Sequence, residues 1–579
     1  MNCFGSLRSD TQKLGRTRSR YLNTLTTTHY NNMLAKIFSG LLMFSLATGA
    51  TARQYSDSYP KNPDIDMIGY VFNLTFSDDT DVVEGVTTAT ARFLAGGLSE
   101  LRLDLIQTSD LLEGKGMTVS GVRMGERDLA FRHEDDQIFI DLGREAGDGE
   151  RIEVSVHYSG MPAAGLKIGP NKYGDRTFFS DNWSSRVRNW LPVVDHPSDK
   201  AMTEMIVTAP SRYQVASNGT VAESSDLGGG MRRTHYKNHV PTATWLYFVG
   251  VAQMAIQQVD SYDGVPVETW VYWQDRDAGF YDFAEPSKKV LAFYSDLIGP
   301  YVNDRLANIV SNGTPGGGME AASTPAYSDA SVSGTRSRRW QHVIIHEIAH
   351  QWFGNAVTQV HWNDVWLSEG FATYYTLLFR EHLYGHDNFI EGLKGSRQSV
   401  INFYEDDYDF QLVRDYIEDL NNVSGGMMYQ KGAWTLHQLK EKIGVETYTK
   451  AIRSYYAEFM NKNAQTADLR RHMEEASGQD LEQFFHQWLF QGGIPSLEGS
   501  WSASDGDVEI NIKQVQETYG YELSVDFEIV LADGSSEVIA LEVGVGDSVQ
   551  GAKSYESDVV DVIIDPNTRV LAKWTFEKE

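Results

Sequence analysis

Cysteine is almost absent: the 579 residues contain one, Cys3. That excludes a disulfide framework, a thiolate metal site and a cysteine nucleophile in the body of the chain. Basic charge is scarce as well, with 50 Lys+Arg against 79 Asp+Glu and a formal net charge of -29. Nucleic-acid binding needs clustered Lys and Arg to neutralise phosphates, so this chemistry is excluded. Long apolar runs are missing except at residues 37–50, and that run is short of the ~20 residues of a membrane span. No internal repeat, low-complexity stretch, Gly-x-Gly-x-x-Gly loop or Gly-Lys-Ser/Thr loop occurs. What the chain does have is 41% hydrophobic and 12% aromatic residues, enough for large cores. At roughly 100–200 residues per domain, its length fits three or four domains.

The short apolar run reads as part of a targeting segment. Lys36 precedes it and Ala50-Thr51-Ala52 follows, giving a charged start, an apolar middle and a small-x-small cleavage site. The expectation is a targeting segment over residues 1–52 whose signal peptide is 33–52, started at Met33 and cut after Ala52. A periplasmic or secreted protein with no stable membrane span in its mature form would result. The alternative is that residues 1–32, basic and rich in Ser and Thr, form an organelle transit peptide.

The body divides by period. Residues 64–260 alternate polar and apolar in short runs, as in Ile152-Glu153-Val154-Ser155-Val156, with glycine-rich turns between them. From about 280, apolar residues recur at three and four, through 340–353, 365–382, 388–404, 429–443, 446–461 and 466–490. Gly492-Gly493-Ile494-Pro495 breaks that pattern, and 497–579 alternate again. This predicts a multidomain α+β chain: an all-β domain at 53–260, a mostly helical domain at 261–495 and a C-terminal β-sandwich at 496–579.

The chemistry is concentrated at His346-Glu347-Ile348-Ala349-His350. Residues four apart on a helix project from one face, so both imidazoles can bind one Zn²⁺. Eighteen residues separate His350 from Glu369, which lies in the apolar segment Trp366-Leu367-Ser368-Glu369-Gly370-Phe371. A buried carboxylate needs a positive partner, and a catalytic zinc takes three protein ligands with one open position. His346, His350 and Glu369 are therefore the expected ligands of one zinc per chain. Glu347 is placed to act on a water. His342, His361 and His382 read as surface or core residues.

These residues resemble the zinc aminopeptidases of the aminopeptidase N and leukotriene hydrolase type. Gly317-Gly318-Met319-Glu320-Ala321 is similar to that family's Gly-x-Met-Glu-Asn signature, and Tyr429-Gln430-Lys431-Gly432 stands where the family carries its catalytic tyrosine. Arg188-Asn189-Trp190-Leu191-Pro192, Asp195 to Ala201 and Ser217-Asn218-Gly219 also resemble family segments. The resemblance implies a thermolysin-like catalytic domain and hydrolysis of the N-terminal bond of peptides with a free N-terminus. It implies roles too: Glu347 as general base, Tyr429 as oxyanion donor, and Glu320 as the group that binds the α-ammonium. Gly317 and Gly318 would let the backbone run beside the substrate.

The sequence departs from the pattern in three places. Ala321 replaces the family Asn, His196 stands where many relatives have Glu, and Ser180-Asp181-Asn182-Trp183 replaces a glutamine-containing pocket segment. The alternative to an active enzyme is a catalytically impaired relative that binds peptides or acts as a scaffold.

Overall fold

The structure is a computed structural model that describes residues 55–579 except 315, 545 and 547. The expected targeting segment, 1–52, lies outside the described residues. The first domain is built on an eight-stranded sheet. Its strand Val83–Phe93 buries every second residue, as the alternation in the sequence requires. A three-stranded sheet and a four-stranded sheet enclose the core with it, around Phe72, Leu103, Phe178 and Trp190.

The chain leaves this domain earlier than expected. Val249–Ala252 still belongs to the four-stranded sheet, but Met254–Tyr262 pairs with Val265–Tyr272 in a separate five-stranded sheet. Residue 260 therefore falls inside a strand of the catalytic domain. The polar, half-exposed residues of Met254–Tyr262 look like the strands before it, which hides the change of sheet.

The five-stranded sheet was not legible as such in a domain expected to be mostly helical. Its strand Leu306–Ser311 is buried at every residue and shows no alternation. The order runs Met254–Tyr262, Val265–Tyr272, Leu306–Ser311, Ala326–Ser328, Gly318–Met319, which leaves Gly318–Met319 at the edge. Helices cover it, notably Arg338–Ala349, Trp366–Tyr384, His386–Asp406 and Gly426–Ile443. The single pattern at 466–490 is two helices, Thr466–Ser477 and Glu482–Leu489. Gly478 ends the first of them at a left-handed φ of 68°.

Residues 496–579 form two facing sheets of four and three strands. Trp501, Ile510, Phe527 and Val562 are buried between them. The architecture is an N-terminal all-β domain, a helical catalytic region resting on a small sheet, and a C-terminal β-sandwich.

Candidate active site

The helix Arg338–Ala349 turns Trp340, Ile344, Ile345 and Ile348 into the core. His346 sits near its end and His350 caps it, with ring centroids 4.6 Å apart. Glu369 comes from the first turn of the neighbouring helix Trp366–Tyr384. The three expected ligand atoms converge. Glu369 Oε2 lies 3.3 Å from His346 Nε2 and 3.2 Å from His350 Nε2. The two Nε2 atoms are 3.1 Å apart. On the far side of its ring, His350 Nδ1 lies 3.1 Å from the Phe353 carbonyl. A proton there donates to the carbonyl and leaves the Nε2 lone pair free for a metal. Gly354 makes this turn possible: its φ is 110°, and a Cβ there would come 3.0 Å from His350 Nδ1.

Tyr429 reaches the same point because two helices touch backbone to backbone. A Cβ on Gly370 or Gly432 would meet the other glycine's backbone at 2.9 Å. Gly370 follows Glu369, and Gly432 lies about one turn after Tyr429. The crossing stacks the Tyr429 ring on His346, at 5.7 Å and 22°, and brings its phenol under the influence of Glu369. Lys431, from the same motif, points the other way. Its Nζ donates to the Gly493 carbonyl and the Tyr404 hydroxyl, both at 3.0 Å, which ties this helix to the linker of the sandwich.

Glu347 is only 5% exposed and lies beneath the edge strand. A Cβ on Gly318 would fall 2.5 Å from Glu347 Cδ, so glycine is required there by close approach. A Cβ added at Gly317 would meet nothing within 4 Å, and the Gly317 carbonyl accepts from Ser328 N at 3.0 Å. One side of the edge strand pairs with Ala326–Ser328, and among the described residues no strand pairs with the opposite side.

Glu320, 4% exposed, follows this strand. Trp245 Nε1 donates to its Oε1 at 3.2 Å. Its carbonyl accepts from Asn355 Nδ2 at 2.6 Å and Gln351 Nε2 at 3.2 Å. Sequence reasoning missed Trp245, Gln351 and Asn355. The last two carried a signal, as polar side chains in the apolar stretch just past His350. Asn218, from a family-like segment, donates to the carbonyls of Leu246 at 2.9 Å and Ala322 at 2.7 Å. It thereby joins the Trp245 turn to the Glu320 loop. Ala321 is 1% exposed and brings no polar group to the site. Of the histidines outside the set, His382 packs against Phe293, 5.0 Å between centroids, and His361 Nδ1 lies 3.0 Å from Lys61 Nζ.

Three carboxylates, Glu320, Glu347 and Glu369, are thus buried together. Burial lifts the Glu347 carboxyl well above its ordinary range and the Glu320 carboxyl to about 7, the latter partly offset by His350. Burial lowers His346 and so favours its neutral, metal-binding form. Burial also works against a charge on His350, but Glu369 and its neighbouring carboxylates raise it to about 10. The cluster therefore gathers enough negative charge to hold a proton on an imidazole. A dication would supply that positive charge and release the proton. Two imidazoles and one carboxylate, with donor atoms within 4.8 Å of one another, are a donor set that fits zinc. Burial, followed by Glu369 and Glu320, keeps the Tyr429 phenol protonated and able to donate.

Known proteins resemble the first two domains of this chain. The family model for the peptidase M1 N-terminal domain matches residues 73–246, and that for the peptidase family M1 domain matches 283–488. Rat glutamyl aminopeptidase (Rattus norvegicus) is 27% identical over 329 residues, 55% of this chain and 34% of that one. Aminopeptidase M1-A of rice (Oryza sativa subsp. japonica) is 26% identical over 342 residues, 56% of this chain and 38% of that one. The chain thus spans little more than a third of the length of these relatives. Among solved structures, a mutant M1 zinc metallopeptidase from Deinococcus radiodurans superposes with a TM-score of 0.61 at 22% identity. It covers 74% of this chain and 94% of its own. A two-domain M1 zinc metallopeptidase bound to L-tryptophan gives 0.62 at 24%, with the same coverage. One family model falls on the domain that supplies Trp245 and Asn218, the other on the domain that supplies the metal donors and Tyr429, and together they establish that this chain belongs to peptidase family M1.

Proposed function

We propose that the chain is a zinc aminopeptidase that releases the N-terminal residue of peptides. The observation that carries this reading is the position of Glu320. It is a buried carboxylate at the end of a half-paired edge strand, beside the general-base candidate and the metal donors. A buried carboxylate there suits a free α-ammonium, which internal peptide bonds lack.

His346, His350 and Glu369 would hold the zinc. When bound, it supplies Lewis-acid polarisation of the scissile carbonyl and lowers the pKa of water at the site. Gly317 and Gly318 align the substrate backbone along the edge strand. Glu347 takes a proton from the attacking water and passes it to the leaving amine, so one water is consumed and a free amino acid and a shortened peptide result. Tyr429 donates a hydrogen bond to the carbonyl oxygen as negative charge grows on it. The relatives named aminopeptidase support this activity. The leader-like pattern at residues 33–52 supports export.

The second reading, an impaired relative that binds peptides without cutting them, rests on Ala321. Alanyl-p-nitroanilide decides between them. The enzyme is expected to cleave it, to lose activity with a chelator and to regain it with zinc, while sparing the N-acetylated form. Binding without cleavage in zinc-loaded protein would favour the second reading. Equal cleavage of both forms would defeat the exopeptidase assignment.

A further inference from the structure

The segment Tyr55–Tyr59 runs extended between the first domain and the catalytic domain. Ser56–Asp57 pairs in parallel with Tyr416–Ile417. Tyr55 donates to Asp364 Oδ2 at 2.6 Å, and Tyr59 donates to Asp104 Oδ2 at 2.5 Å. Between these anchors sits the buried carboxylate of Asp57. Its Oδ2 accepts from the backbone N–H of Trp362 at 3.1 Å and faces His196 Nε2 at 3.0 Å. Its Oδ1 accepts from Tyr59 N at 3.2 Å. His196 is buried and is spent on holding Asp57.

Trp362 is fully buried. Its ring lies 4.9 Å from that of Trp245 and 5.3 Å from that of Trp183. Trp245, also fully buried, donates to Glu320 Oε1. Asp57 is therefore three contacts from the carboxylate assigned to the substrate amine: a hydrogen bond, a ring packing and a hydrogen bond. Buried indoles at close packing have no free volume in which to absorb a displacement separately. A shift of the Trp362 backbone moves its ring, then Trp245, then the donor that orients Glu320.

We propose that Asp57 is a positioning residue for Glu320, acting through Trp362 and Trp245. The segment ahead of the first domain is then part of the apparatus that recognises the substrate amine. The proposal rests on the amine-binding reading of Glu320. It also separates Asp57 from Tyr55, which clamps the same segment but bonds to the Asp364 side chain at the far end of the Trp362–Asp364 turn, not to the Trp362 backbone.

The test compares Asp57→Ala, Asp57→Asn and Tyr55→Phe in the full chain. KM and kcat are measured for alanyl-p-nitroanilide, the Kd of L-leucinamide by calorimetry, and zinc content by elemental analysis. Asp57→Ala is expected to raise both KM and the L-leucinamide Kd about tenfold, the scale of one misaligned hydrogen bond to a charged group. Its kcat should stay within about threefold and its zinc at one per chain, as expected for lost binding rather than lost chemistry. Asp57→Asn keeps an acceptor for Trp362 N and should restore most of the affinity. Tyr55→Phe should lower the melting temperature but leave KM and Kd in place. Unchanged KM and Kd in Asp57→Ala would overturn the proposal, and so would loss of zinc, or equal KM changes in Asp57→Ala and Tyr55→Phe. If wild-type protein binds L-leucinamide but cleaves nothing, the aminopeptidase reading fails and the Kd shift alone decides this one.

Discussion

Gly318→Ala is the smallest change that tests how Glu347, the proposed general base, is held. The backbone at 318 is not in the left-handed region, so alanine meets no conformational strain there. The obstacle is Glu347. An added Cβ would sit 2.5 Å from Glu347 Cδ, whereas ordinary contact begins at 3.4 Å. The carboxylate must therefore retreat by about 1 Å, or the edge strand must lift by as much. Misplacing a catalytic group by about 1 Å costs on the order of 10²-fold in rate. Overpacking of this kind costs about 1–3 kcal/mol of stability, little enough for a protein of this size to remain folded. Gly317→Ala is the matched control, because its Cβ would meet nothing within 4 Å. Both variants would be assayed for kcat and KM on alanyl-p-nitroanilide, with zinc content and melting temperature measured alongside. The expected result is a kcat about 10²-fold lower for Gly318→Ala and near wild type for Gly317→Ala. Full activity in a folded Gly318→Ala enzyme would refute the placement of Glu347 under the strand.

Tyr429→Phe keeps the ring that stacks on His346 but removes the donor. It is expected to lower kcat by about 10²–10³-fold while zinc content stays constant, which stopped-flow or steady-state kinetics would read. Gly432→Ala would drive a Cβ to 2.9 Å from the Gly370 backbone. Helix propensity favours alanine by about 1 kcal/mol, but overpacking costs up to about 3 and backbone atoms cannot rotate away. The net expectation is a loss of about 2 kcal/mol in denaturant unfolding, with reduced kcat because Tyr429 moves with its helix.

Much of the site was legible because its chemistry is local in sequence. His346 and His350 lie four apart on one helix, and the structure brings Glu369 to within 3.3 Å of both. Glu320, Gly318 and Tyr429 come to the same place. The supports of the site were not legible. Trp245, Trp362 and Asp57 lie far apart along the chain and carry no motif, and only the fold joins them, by one ring packing and one hydrogen bond. The helices were readable from their 3.6 period. The sheet at 254–328 was not, since Leu306–Ser311 is buried on both faces and cannot alternate. The boundary near residue 260 failed for a related reason: two consecutive strands of similar polarity belong to different sheets, and pairing partners are not written in one strand's own sequence. Gly370 and Gly432 owe their place to their mutual contact, which neither helix carries in its own sequence.

The central claim is that Glu320 reads the free amine of a substrate held at the zinc site. The most direct measurement is the KM of Glu320→Ala for alanyl-p-nitroanilide, set beside its zinc content. The claim predicts one zinc per chain and a KM raised at least about tenfold, the scale of a lost charge-assisted contact. A zinc-loaded variant with the KM of wild type would contradict it.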